Sequence, residues 1–363
     1  MDKRLKKAIE DIYNINLGVR DNERVLIFTD DHDKGVIRVA RLFKRVWIGL
    51  HGQGVRYMEF HATGGHGKEP PEPLWREAFG ERAVNALRAK GLFNQLLDKS
   101  LDRRALKEIE TTIERFKRDA IHVVVALSYF STTHTRFRDL LTDICGTRYA
   151  SMPLFDISML KGPMQVDLNE MAKRARMIAR RINQSDAIEI NTPNGTSITF
   201  SIKGRKAKMD TGILTKRGSV SNLPAGEVFI APLEGTANGK LVLEWAPTHK
   251  LKSHVVLDVR GGMVRSVSGD DEYADVLRKR LSERDENANI AEFGIGTNDK
   301  ASRPDNILES EKILGTIHIA LGDNSSFGGR VRTPFHQDFI FFKPTVVLIN
   351  KDRRRVLMKD GSL

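Results

Sequence analysis

Cysteine is almost absent: Cys145 is the single one in 363 residues. An internal disulfide is therefore excluded, as is any cysteine-built zinc module, and a reducing compartment is expected. Aromatic residues are scarce too, at 7 percent, and no RNA- or DNA-binding signature accompanies the excess of 59 basic over 47 acidic residues. The net charge of +12 is scattered, apart from clusters such as Lys173 to Arg181 and Arg353 to Arg355. It reads as a solvated basic surface, able to concentrate acidic substrates, rather than as a specific nucleic-acid site. No apolar run approaches the roughly 20 residues that span a bilayer. The first segment, MDKRLKKAIEDIYNINLGVRDNERVLIF, carries charges where a signal peptide needs an apolar stretch. A cytoplasmic, soluble protein without a membrane or specific nucleic-acid partner is expected.

Several catalytic signatures are missing as well. There is no G-x-x-x-x-G-K-[ST] loop, GIGTND at 294–299 lacks the spacing of a dinucleotide site, and no G-x-S-x-G elbow is present. Cys145 sits beside apolar Ile144 in a helix-like run, which suits a buried thiol better than a nucleophile.

What is present is ordinary globular material, 40 percent apolar and 29 percent charged, in a chain long enough for two cores. The first half alternates: helix near 2–17, strand at 23–30, helix at 34–47, strand near 55–60, helices around 82–98 and 102–118, and the strand AIHVVVAL at 120–127. That alternation implies a largely parallel sheet covered on both faces. Thr133, His134 and Thr135 follow a strand end, where open α/β sheets gather ligands, although a threonine there also suits a helix N-cap. A helical period over 168–183 closes this domain, with a boundary near 184. Beyond it come short strands with tight turns, starting with a hairpin around Pro193, Asn194 and Gly195 and broken by one helix near 270–285. The predicted fold is an α/β domain over 1–184 and a β-rich, barrel-like domain over 185–363.

Against this background five polar residues stand out in apolar, strand-like stretches: Glu227 in AGEVFIAP, Glu292 in AEFGIGTN, His318 in GTIHIALG, and His336 with Asp338 in FHQDF. His336 and Asp338 are two apart, so on a strand both project from one face. Burying Glu227 or Glu292 without a partner would cost several kcal/mol, and neither has an arginine nearby in sequence. Two imidazoles and three carboxylates suffice to hold one or two divalent metals; ion pairing with a distant lysine or arginine is the alternative. Glu309 and Glu311, in ILESEK, either support this set from behind or lie exposed.

The segments NLPAGEVFIAPLEGTANGKLVLE, AEFGIGTN, NILESEKILGTIHIALGDNSSFGG and FHQDFIF, preceded by NERVLIFTD, GKEPPEPLW, STTHTRFR and YASMP, resemble in order the motifs of the aminopeptidase T family of metallo-aminopeptidases. The resemblance covers most of the chain. It implies an α/β N-terminal and a β-rich C-terminal domain, and two divalent ions (zinc, cobalt or manganese) held by Glu227, Glu292, His318, His336 and Asp338. It also implies a homodimer and a peptide substrate. In that chemistry one ion activates a bridging water, the other polarises the scissile carbonyl, and Glu227 or Glu292 takes the proton. One position departs from the family: Ser325 stands where the longer enzymes carry a tyrosine close to the metals. From the same superfamily the chain also resembles the ring-cleaving 2,5-dihydroxypyridine dioxygenases. In that reading His318, His336 and Asp338 form the two-histidine, one-carboxylate set suited to iron(II). A metal-binding relative without catalysis is the third reading.

Overall fold

The computed structural model describes residues 2–363 except Gln53, Lys99 and Asp352. The chain divides into two compact units, one of residues 1–165 and 212–224, the other of 166–211 and 225–363.

The first unit holds a five-stranded sheet in the order Val55–Phe60, Val25–Asp30, Val123–Ala126, Arg148–Ser151, Val220–Asn222, with every pairing parallel. The central strands are buried on both faces, which their runs of valine, isoleucine and leucine require. Helices start where side chains can take up free amides: Asp33 accepts from Val36 N and caps Lys34–His51, and Asp102 accepts from Ala105 N and caps Arg103–Phe116. The helix expected over 82–98 is two, Glu81–Ala89 and Leu92–Leu97, because Gly91 between them adopts φ +68°. Thr135 caps a short helix by accepting from Arg138 N, and Thr133 Oγ1 lies 2.6 Å from Ser151 Oγ, so this segment is built for capping. Cys145 is buried, and burial pushes its thiol up to about 12. The folded protein is accordingly expected to resist a thiol-specific disulfide reagent, and the denatured protein to titrate one thiol per chain; fast native-state reaction would contradict its burial.

The second unit is β-rich, as predicted, and its strands form two antiparallel sheets. The seven-stranded one runs Met263–Ser268, His249–Arg260, Asn238–Ala246, Ser197–Ser201, Ala187–Asn191, Thr345–Asn350, Arg353–Met358. The five-stranded one runs His336–Phe342, Thr316–Gly322, Ile290–Gly296, Glu227–Ile230, Lys208–Asp210. Both contribute to one apolar core, with Ile190 and Leu241 from the first and Phe293 and Ile319 from the second. The hairpin turn at 192–196 is present, with Gly195 at φ +98°.

The boundary differs from the expected 184 in two ways, each with a physical cause. The helix Leu168–Ile182 belongs to the second unit, because Ala175, Ile178 and Ile182 pack into that unit's core. The chain also returns to the first unit at 212–224, where three residues, Val220–Asn222, extend the parallel sheet. So short a strand carries no period for a sequence to display. Among the described residues no helix is long and apolar enough to cross a membrane.

Candidate metal centre

The five-stranded sheet of the second unit brings the five conspicuous residues to one face. Along each strand the alternate residues enter the core: Val228 and Ile230, Phe293 and Ile295, Ile317 and Ile319, Phe339 and Phe341. Glu227, Glu292, His318, His336 and Asp338 occupy the intervening positions and point the other way. A bulge between Ile290 and Glu292 lets Ile290 and Phe293 both reach the core while keeping Glu292 on the site face.

What aids the convergence is a small cross-strand residue on one side of each ligand candidate. His318 pairs across strands with Gly294, Glu227 with Gly296, and His336 with Gly322, while Glu292 and Asp338 both pair with Ala320. Small cross-strand neighbours leave the long polar side chains free to lean together over the sheet. The fit at Gly294 is tight: a Cβ there would lie 2.0 Å from His318 Nε2. Gly294→Ala is therefore expected to displace the imidazole and to lower divalent-cation affinity by about 10- to 100-fold, measured by chelator competition. Unchanged affinity would remove His318 from the site.

The distances define two linked groups. Glu292, His336 and Asp338 offer ligand atoms within 4.8 Å of one another, and so do Glu227, Glu311 and His318. His318 Nε2 joins them, 3.4 Å from Glu227 Oε2 and 3.5 Å from Glu292 Oε1. His336 Nε2 lies 3.4 Å from Glu292 Oε2 and 3.6 Å from Asp338 Oδ2. Its other ring nitrogen, Nδ1, lies 2.8 Å from the Asp323 carbonyl, so Nδ1–H donates there and Nε2 is the nitrogen turned toward the carboxylates.

A fully buried lysine completes the centre, and sequence reading missed it. Lys312 Nζ donates to Glu227 Oε1 at 2.6 Å and to Glu311 Oε1 at 2.9 Å. Glu227 thus has the distant cationic partner that its neighbours in sequence lack, 85 positions away. Glu309 and Glu311 are not exposed. Glu309 is buried and accepts from Ser302 N and Arg303 N, and Glu311 is held against Lys312. Only the ESEK cluster could have signalled this, and charge clusters are ordinarily solvated faces.

Ser325 is exposed, and its N–H and hydroxyl both donate to the Asp323 carboxylate, which also accepts from Thr333 N. It braces the turn that carries the His336-binding carbonyl. Nothing in its position substitutes for a phenol beside the metals.

Electrostatics follow from crowding. Burial raises Glu227 to about 8 and Asp338 to about 6. Burial also opposes charge on Glu292, but hydrogen bonds from His318 and His336 outweigh it and bring that carboxyl down to about 2. Both imidazoles are disfavoured as cations by burial, yet the surrounding carboxylates lift His318 to about 9 and His336 to about 10. Glu227 and Glu311 share one ammonium, and protons on the imidazoles offset Glu292 and Asp338. Three buried atoms, Glu227 Oε2, His318 Nδ1 and Asp338 Oδ1, have no hydrogen-bond partner. Clustered carboxylates and imidazoles, with buried ligand atoms left without a partner among the described residues, fit a divalent cation, whose binding would displace those protons.

The histidine and carboxylate cluster on one sheet face of the β-rich unit offers the ligand set that a metal-dependent enzyme requires. The family model of NicX, 2,5-dihydroxypyridine 5,6-dioxygenase, matches residues 99–362, and the chain belongs to that family. The fold is similar to that of 2,5-dihydroxypyridine dioxygenase from Pseudomonas putida, with a TM-score of 0.71 and 17 percent identity over 99 percent of this chain and 96 percent of that one. It is also similar to wild-type AmpT from Thermus thermophilus, with a TM-score of 0.57 and 16 percent identity over 99 and 98 percent of the two chains. No curated protein matches. The aminopeptidase-like fold is thus present, but the matching family is the dioxygenase one, and this displaces the peptidase as the leading reading.

Proposed function

We propose that the protein is a non-haem, iron-dependent dioxygenase that opens a dihydroxylated nitrogen-heteroaromatic ring of the 2,5-dihydroxypyridine class. The observation that supports this reading most is the family match, which spans every residue of the His318, His336, Asp338 and Glu292 cluster. Two imidazoles and a carboxylate are the set suited to ferrous iron with positions left open for substrate and oxygen. When bound, the iron supplies the one-electron chemistry by which dioxygen reacts with a closed-shell ring.

The chain's own residues have distinct tasks. His318, His336 and Asp338 would hold the ion, and the Asp323 carbonyl fixes the His336 tautomer so that Nε2 is available. Glu292, within 3.5 Å of both imidazoles, is placed to orient their rings and to add negative charge beside the ion. Phe327, whose ring centroid is 5.9 Å from that of His336 and nearly perpendicular to it, shields that imidazole on one side. The two-ion peptidase expectation has less support, because Lys312 already pairs with Glu227 and Glu311. The homodimer implied by resemblance is retained as part of the proposal, with two chains per particle expected in size-exclusion light scattering.

The test is direct. Protein loaded with iron(II) without oxygen, then mixed with 2,5-dihydroxypyridine and air, should consume one dioxygen per ring lost and carry both oxygen atoms into the opened product. Absence of uptake, together with cobalt- or zinc-dependent hydrolysis of a leucyl chromogenic substrate, would overturn the assignment.

A further inference from the structure

Lys312 is among the largest fully buried side chains of the protein and sits where a cation would be expected. Its ammonium lies 2.6 Å from Glu227 and 2.9 Å from Glu311, two of the three residues in one of the groups able to hold a metal. A buried ammonium persists only when paired and hydrogen-bonded, and here two carboxylates meet that need. A divalent ion drawn to the same two carboxylates would lie within a few ångströms of the ammonium, where burial leaves their repulsion weakly screened.

We infer that Lys312 takes the place of a second metal and holds the centre to one divalent ion per chain. The lysine pairs with Glu227 and Glu311 from within their group. His318, whose Nε2 is 3.5 Å from Glu292 Oε1, is then left to serve, with His336 and Asp338, the one ion beside Glu292. This rests on the metal-dependent reading of the site and adds the residue that sets its stoichiometry. It also gives a physical reason for one sheet face to carry enough ligands for two ions while holding one.

The experiment counts ions. Metal-free full-length protein is titrated with Mn²⁺, followed by elemental analysis and by electron paramagnetic resonance. The unaltered protein is expected to bind one ion and give an uncoupled six-line spectrum. Lys312→Met is expected to bind two and give an exchange-coupled spectrum. Lys312→Gln, a neutral polar replacement able to donate to either carboxylate, is expected to bind two ions as well. Two ions in the unaltered protein, or one ion in a folded Lys312→Met or Lys312→Gln protein, would each overturn the inference. Lys312→Gln carries the count where Lys312→Met does not fold. One ion without oxygen uptake would sink the dioxygenase reading and leave the inference standing; two ions with oxygen uptake would do the reverse.

Discussion

Protein carrying His336→Ala is expected to fold normally, to lose more than about 100-fold in divalent-cation affinity, and to show no oxygen-dependent ring cleavage. The fold should survive because His336 is one-third exposed and sits at the first position of its strand, where its Nδ1 bond to the Asp323 carbonyl is the anchor lost. Affinity should fall because Nε2 is the nitrogen facing both Glu292 and Asp338. Thermal melting by circular dichroism and chelator competition separate the two effects. A folded variant with undiminished affinity would remove His336 from the ligand set.

The second large effect is expected at Lys312. In metal-free protein, Lys312→Met keeps an unbranched apolar stem but leaves Glu227 and Glu311 without their ammonium. Breaking a buried ion pair from one side costs about 3–5 kcal/mol. Denaturant midpoints in chelator should fall accordingly, with the slope unchanged. Each Mn²⁺ bound should restore about 2.7 kcal/mol at 100 times its dissociation constant, since it binds only the folded state. A variant as stable as the unaltered protein in chelator would mean that the ammonium contributes nothing to neutralising the carboxylates.

These expectations turn on features that differ greatly in how far the sequence reveals them. The parallel sheet of the first unit was legible because its central strands are apolar runs separated by helical periods, and a strand such as Val25–Asp30 falls where the pattern places it. The five polar exceptions were legible for the same reason: a charge inside an apolar strand is costly enough to be noticed. Their shared face follows from two-residue alternation, which the strands obey apart from one bulge at Ile290 and Glu292.

Lys312 was not legible. It stands in a charged stretch, ESEK, of the kind usually left in solvent, and its partner Glu227 is 85 residues away. The same distance problem hid the return of residues 212–224 to the first unit. The glycines opposite the ligands had a visible signal in AEFGIGTN and HIALG, but small residues acquire meaning only when the strand register sets Gly294 against His318 and Gly296 against Glu227.

The sequence by itself determined the class of fold and the chemical character of the centre, because hydrophobic periodicity and the cost of burying charge are local properties written in residue order. Which charges neutralise one another was decided by the tertiary structure alone. Electrostatic pairing depends on distance in space: antiparallel register gathers Glu227, Glu292, His318, His336 and Asp338, and the segment between Ile307–Ser310 and Thr316–Gly322 sets Lys312 against Glu227 and Glu311.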